Sequence, residues 1–140
     1  MKNFKSIIAG AALLFICVAA NAADKTRIQK ASQTDVLTTY IDDVSKGKTT
    51  GLDKMLAKDM QFNLKRGENV NTMDKIDVIN ALQNGTATTP LETKSTILQQ
   101  DENLTKVKVE FKYDGYTRVD TVTITKLHDW QVTNVDSSYN

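Results

Sequence analysis

The spacing of apolar residues changes along this chain, from helical near the start to alternating near the end. A first helix is predicted from one stripe at helical spacing, formed by Val36, Leu37, Tyr40, Ile41 and Val44. Ser32 or Thr34 can cap this helix, and Gly47 ends it. A second, two-turn helix is predicted after Thr49 or Thr50, with its apolar side at Leu52, Met55 and Leu56.

The segment that follows combines a strand with a third helix. Alternation with polar residues predicts a half-buried strand at Met60, Phe62 and Leu64. The chain then turns at residues 66–68, and Val70 is placed in a short return strand. Thr72 is the predicted cap of the third helix, which ends at Gly85. The apolar residues of that helix are Met73, Ile76, Ile79 and Leu82.

From residue 86 onward the pattern is that of an antiparallel meander. Strands are predicted at 93–98, 107–113 and 116–127, with a last strand from Trp130, and Asp114-Gly115 is a strong hairpin signal. The apolar side changes parity between Val119 and Val122, which predicts a β-bulge that bends the sheet. Helices followed by a meander indicate an α+β fold, with the N-terminal helices on one concave face of the sheet.

The N-terminal residues have the features of an export signal. Lys2 and Lys5 precede an apolar run at 7–18, and Ala20-Asn21-Ala22 supplies small residues for cleavage after Ala22. We therefore predict a signal peptide at 1–22, a polar leader at 23–34, and one domain at 35–140. Bulky Ile16 before Cys17 argues against lipid attachment. The mature protein is predicted to be periplasmic or secreted, with no membrane span after cleavage.

Composition excludes several classes of function. Removing Lys2 and Lys5 from the 18 basic residues leaves 16 against 17 acidic ones, so no basic surface for nucleic acid is expected. Cleavage also removes Cys17, the only cysteine, so the domain needs no disulfide. With a single histidine, we expect neither a metal site nor a cofactor.

Two stretches resemble the nuclear-transport-factor-2-like superfamily, which includes ketosteroid isomerases and polyketide cyclases. They are YIDDVSKGKTTGLDKMLAKDMQF at 40–62 and the terminal strand WQVTNV at 130–135. Within that superfamily the chain is most similar to exported bacterial lumazine-binding-like proteins. The resemblance implies a cone-shaped fold, in which a strongly curved antiparallel sheet wraps around the helices and leaves a pocket at its open end. It also implies a possible homodimer through the sheet.

The resemblance places Tyr40 at the position of the isomerases' oxyanion-hole tyrosine. In that chemistry one carboxylate moves a proton beside a carbonyl, and a protonated carboxyl group helps the tyrosine to hold the enolate. The position of the first acid falls on Leu64 and that of the second on about Thr123. Neither side chain can replace a carboxylic acid. We therefore predict no catalytic residue, and no proton-transferring carboxylate beside the Tyr40 hydroxyl.

The function predicted from these observations is non-enzymatic binding of a small hydrophobic or ring-shaped molecule in an apolar cone pocket. The candidate ligand-binding residues are Tyr40, Phe62, Leu64, Phe111, Tyr113, Thr123 and Trp130. The simpler interpretation of the same residues is a packed core, because buried tyrosines and alternate strand positions are usually core.

Two other charged pairs carry little functional weight. His128-Asp129 suggests acid–base chemistry, but neighbours in a turn rarely point at one site. The carboxylates of Asp42 and Asp43 diverge on a helix, so a solvated face is the expected role.

Two alternative functions stay open from the sequence. One is an isomerase, cyclase or hydrolase that uses an unplaced carboxylate such as Asp120. The other is a cell-envelope interaction module whose cone is filled by its own side chains. A binder requires an internal void of roughly 300 Å³ or more. An enzyme also requires an ionisable group in that void with a shifted pKa.

Overall fold

The computed structural model describes residues 32–86 and 88–140. The predicted signal peptide at 1–22 and most of the leader lie outside the described residues. Within the described ranges, no helix has the length and apolar character needed to cross a membrane.

The first helix, α1 (Gln33–Lys46), begins and ends at the residues that the sequence indicates. The Ser32 hydroxyl accepts from the backbone N–H of Asp35, and the Asp35 carboxylate accepts from the backbone N–H of Ser32, which makes a capping box. Gly47 ends the helix with a φ of 67°, a conformation that favours glycine. The first two residues of the helix therefore lie in the predicted leader.

The second helix is short and runs directly into the first strand. It is α2 (Thr50–Met55), followed by β1 (Leu56–Arg66), so Leu56 opens the strand rather than lying on the helix. The buried carboxylate of Asp43 accepts from the backbone N–H of Leu52 at 2.7 Å. That bond ties α2 to α1, because it satisfies a donor in the first turn of α2.

The third helix starts two residues later than the sequence suggests. The return strand β2 (Asn69–Met73) includes Thr72 and Met73, and α3 (Lys75–Asn84) follows it. Asp74 is the cap rather than Thr72, because its carboxylate forms a capping box with Asp77. Ile76, predicted on the apolar face, is 67% exposed, and Val78 takes the buried position instead.

Six strands form one curved, unclosed sheet. The meander consists of β3 (Glu92–Gln100), β4 (Leu104–Tyr113), β5 (Tyr116–Lys126) and β6 (Trp130–Tyr139). The strand order is β2-β1-β6-β5-β4-β3. All neighbours are antiparallel except β1 and β6, which run parallel where the early strand meets the last one. This confirms the α+β cone fold and adds one parallel pairing to the expected antiparallel sheet.

The core lies between the helices and the concave face of the sheet. From α1, Val36 and Tyr40 are fully buried, and α1 contacts β4, β5 and β6. The sheet supplies buried residues at alternate positions, as in Val107, Val109 and Phe111 of β4. Helix α3 contacts β1 and β2 at the other side of the cone.

We predict that Ile124→Ala lowers the free energy of unfolding by about 2–5 kcal/mol, since Ile124 is fully buried and its truncation leaves a cavity. Leu98→Ala is the matched control, because Leu98 lies in β3 and is 52% exposed. Its cost should stay within about 0.5 kcal/mol. Urea unfolding followed by circular dichroism measures both. Equal costs would contradict the assignment of the core.

Candidate functional site

A buried polar network joins the first helix to the fifth strand. The Tyr40 hydroxyl donates to Asp120 Oδ2 at 2.7 Å. Arg118 donates from Nε to Asp120 Oδ1 at 2.9 Å and from Nη2 to Oδ2 at 2.7 Å. The Tyr40 ring and the Asp120 carboxylate are fully buried. Three donors converge on two oxygens, an arrangement that an ionised carboxylate accepts.

This network corrects the prediction that no carboxylate lies beside Tyr40. The parity change between Val119 and Val122 is not a bulge. Strand β5 keeps its alternation there, and the charged residues Arg118 and Asp120 point toward the helices while Val119 points away. The register shift of β5 against β6 comes later, between Thr123 and Ile124.

The second acid of the isomerase comparison was expected at about Thr123, and that residue does not lie beside the tyrosine. Thr123 lies on the opposite face of β5 from Asp120, since side chains alternate along a strand. Asp120 is the residue that lies next to the tyrosine hydroxyl. Leu64, at the position of the first acid, is half-buried and apolar.

The network does not form an oxyanion hole. A tyrosine has one O–H to donate, and Tyr40 donates it to Asp120. Both oxygens of the Asp120 carboxylate accept hydrogen bonds from Arg118, and Oδ2 accepts from Tyr40 as well, so they are occupied by protein donors. Tyr40 and Asp120 together position Arg118 rather than receive a substrate oxygen.

The pKa values of three groups at the site are raised, which moves them further from neutral pH. Burial and the neighbouring Asp120 carboxylate raise the pKa of Tyr40 well above its ordinary value. Burial opposes the charge of Arg118, but the Asp120 carboxylate outweighs it and raises the arginine's pKa. Burial also raises the pKa of Tyr113. All three groups therefore stay protonated near pH 7, and none of them exchanges a proton there.

An open cavity of about 480 Å³ lies at the end of the sheet where β5 begins and β6 ends. Its walls include Arg118, Arg66 from the end of β1, and three tyrosines. We call Tyr113, Tyr116 and Tyr139 the tyrosine cluster: the first two rings stack at 4.8 Å between centroids, and the last two lie 5.9 Å apart. Arg66 Cζ lies 5.6 Å from the Tyr139 ring centre.

A second, apolar lobe of about 170 Å³ adjoins the first. Both lobes share Arg118, Tyr139 and residues of α1 and α3. The apolar lobe adds Phe62, Leu64, Met73 and Val78 to its lining. The cone therefore has one lobe walled by arginines and tyrosines and one walled by aliphatic and aromatic groups.

The structure brings together only part of the predicted ligand-binding set. Phe62 and Leu64 line the apolar lobe, and Tyr113 lines the larger one. Tyr40 and Phe111 are fully buried next to Arg118. Tyr40 bonds to Asp120, the partner of Arg118, and the centre of the Phe111 ring lies 5.4 Å from the guanidinium carbon.

Thr123 and Trp130 line neither lobe. Thr123 lies on the other face of the sheet. Trp130 opens β6, so about 30 Å of extended strand separates it from Tyr139 at the cavity end.

Sequence reasoning missed Arg118, Arg66, Tyr116 and Tyr139. A signal for Arg118 was present in the alternation of β5. Counting back from buried Val122 in steps of two places Asp120 and Arg118 on the core face. Such charged residues on a core face are rarely buried unless paired.

The remaining candidates lie outside the cavity. His128 is exposed in the turn before β6. The two carboxylates diverge as predicted, since Asp42 pairs with Lys46 on the helix surface and Asp43 points to α2. The expected solvated face holds for Asp42 only, because Asp43 is buried against the first turn of α2. No group of three His, Cys, Asp or Glu within the described ranges could hold a metal ion.

Solved structures share this architecture at low sequence identity. A protein of unknown function from Shewanella baltica, described as nuclear-transport-factor-2-like, matches with a TM-score of 0.63 at 13% identity, over 76% of this chain and 90% of that one. The chain has the nuclear-transport-factor-2-like fold. A similar protein of unknown function from Methylobacillus flagellatus matches with a TM-score of 0.58 at 19% identity, over 76% of this chain and 88% of that one.

A candidate ketosteroid isomerase from Parabacteroides distasonis has the same nuclear-transport-factor-2-like fold. It matches with a TM-score of 0.56 at 8% identity, over 86% of this chain and 93% of that one. No protein-family profile and no curated protein matches the chain. The likeness therefore establishes the fold, and the lumazine-binding-like assignment stays a prediction.

We predict that Arg118→Met lowers the free energy of unfolding by about 3–5 kcal/mol, because it leaves the buried Asp120 carboxylate without its cation. The triple variant Tyr40→Phe, Arg118→Met, Asp120→Leu removes every polar member of the network. It should match or exceed the native stability. Urea unfolding measures both, and a triple variant as unstable as Arg118→Met would contradict this account.

We also predict that stability falls more steeply above pH 10 in the native protein than in Tyr40→Phe. The tyrosine's pKa is raised by folding, so the unfolded chain releases its proton first, near the ordinary tyrosine pKa of 10.0. The folded state then binds more protons, and its stability is complete below that pH and declines above it. The slope should differ by up to about 1.4 kcal/mol per pH unit. Identical slopes in urea unfolding at pH 9–11 would refute the assignment.

Proposed function

We propose that the domain binds a small molecule in the cone cavity, with the apolar lobe and the tyrosine cluster holding a hydrophobic or ring-shaped body. The observation that supports this most is the open cavity of about 480 Å³ with the ordered cation of Arg118 in its wall. Ligand sites in proteins are typically voids of about 300–1,000 Å³ with a few convergent polar groups.

The chemistry of the walls favours binding over catalysis. A general acid or base works best with a pKa near the operating pH. The groups with shifted pKa at this site, Tyr40, Tyr113 and Arg118, are all displaced upward, which leaves them protonated at neutral pH. The buried carboxylate of Asp120 is engaged by three donors and does not line either lobe.

An interaction module with a filled cone is less well supported. That alternative requires Phe62, Leu64, Phe111 and Trp130 to close the hollow. Phe62 and Leu64 instead line an open lobe, and Trp130 lies at the far end of β6. Export to the periplasm or the medium is part of the proposal and rests on the N-terminal sequence. A homodimer through the sheet also stays a prediction.

We predict that Leu82→Trp abolishes binding of the neutral probe N-phenyl-1-naphthylamine, because Leu82 lines both lobes and a larger ring would fill them. Asn80→Trp is the matched control, since Asn80 is exposed on the same helix. Probe fluorescence measures both variants. The proposal expects saturable binding to the native protein and to Asn80→Trp only. A native protein that does not bind the probe, or two variants that behave alike, would contradict it.

A further inference from the structure

We propose that the molecule bound in the cone carries a carboxylate, which Arg118 receives on the free edge of its guanidinium and Arg66 attracts at the mouth. This inference rests on the proposed function, since it names the chemical class of the ligand for the same cavity. The observations behind it are the hydrogen bonds of Arg118, its orientation, and the charges of the cavity walls.

The guanidinium of Arg118 has one edge engaged and one edge free. Arginine carries five N–H donors, and each edge of the fork can hold a carboxylate with two parallel bonds. Asp120 occupies the edge formed by Nε and Nη2. Among the described residues, the hydrogen bonds of Arg118 run from Nε and Nη2 to Asp120, and Nη1 makes none. The Tyr40 hydroxyl, bound to the same Asp120 oxygen as Nη2, also interacts with the guanidinium on that engaged side. Because Arg118 lines both lobes, the free edge of Nη1 and Nη2 is the part that a ligand can reach.

The orientation of that edge is set before any ligand arrives. Arg118 Cζ lies 5.6 Å from the ring centre of Phe62 and 5.4 Å from that of Phe111. Its side chain is only 15% exposed, and Asp120 anchors it from behind. A planar fork held in this way loses little freedom when it forms further hydrogen bonds.

Two arginines line the lobes, and Asp120, the carboxylate that pairs with Arg118, lies behind the wall rather than in it. Arg66 and Arg118 line the larger lobe, and none of the described residues that line either lobe is Asp or Glu. An ammonium group entering the cavity would meet only like charge there. A carboxylate would meet two arginines, while its apolar body could contact the tyrosine cluster or the apolar lobe. The ligand class that complements all these surfaces is an amphiphilic monocarboxylate.

The test compares acids with their isosteric amides. Isothermal titration calorimetry would measure binding of 2-naphthoate against 2-naphthamide, and of octanoate against octanamide, to the full-length protein. Each pair has the same body and differs in charge. We expect the carboxylate to bind at least about tenfold more tightly, since charge-assisted hydrogen bonds to a guanidinium are stronger than neutral ones.

Two variants locate the effect. Arg66→Gln should weaken the carboxylates several-fold and leave the amides unchanged. Lys65→Gln makes the same change of charge one residue earlier in β1, where the side chain faces a separate groove on the other side of the sheet, and it should change neither. The triple variant Tyr40→Phe, Arg118→Met, Asp120→Leu keeps the core apolar and should reduce the preference for the acid to the several-fold part that Arg66 supplies.

The outcomes separate this inference from the function on which it rests. Equal affinity for acid and amide, or tighter binding of the amide, would overturn the carboxylate inference and leave ligand binding intact. Binding of N-phenyl-1-naphthylamine without binding of either acid would do the same. If neither the neutral probe nor any member of the pairs binds, the proposed function fails and the inference fails with it. A preference that survives undiminished in the triple variant would also contradict the role of Arg118.

Discussion

The ion pair between Arg118 and Asp120 is the interaction on which the site depends. Both residues lie on the concave face of β5, and Tyr40 reaches Asp120 from α1, so the pair joins the helical layer to the sheet. Burying one carboxylate alone would be strongly unfavourable, and the arginine compensates for it with two hydrogen bonds. The same contacts hold the arginine at the wall of the cavity. The ion pair that stabilises the core therefore also positions the side chain that we propose a ligand contacts.

That arrangement explains why a protein that shares its fold with a candidate isomerase need not catalyse the same reaction. A tyrosine on the first helix and an acid on a central strand are both present in this chain. Arg118, however, donates to both oxygens of the acid, and the acid accepts the hydrogen bond that Tyr40 would otherwise offer to a substrate. The difference lies in the hydrogen bonds around one buried carboxylate rather than in the fold. Function resides in sites placed on folds, so the fold alone does not decide what this site does.

Most of the fold could be predicted from the sequence because its signals are local. The stripe on α1 with its capping serine and Gly47, and the alternation of β4, each identify an element by its period. The third helix was misplaced because Met73 continues both a strand and a helical pattern, and the choice depends on the capping box of Asp74. The parallel pairing of β1 with β6 has no local signal, since it depends on which edges meet in the folded sheet.

The site was harder to predict, because its main residues break the apolar pattern that identifies a strand. Arg118 and Asp120 occupy core positions of β5, and a search for apolar parity interprets them as an irregularity. The bond from Tyr40 to Asp120 joins residues 80 apart in the sequence, and no local spacing reveals it. The most direct test of the proposed role of Arg118 is a crystal structure of the protein with 2-naphthoate. We expect the carboxylate about 2.8 Å from Nη1 of Arg118, with the Tyr40–Asp120 bond intact. A carboxylate bound away from Arg118, or a guanidinium released from Asp120, would contradict it.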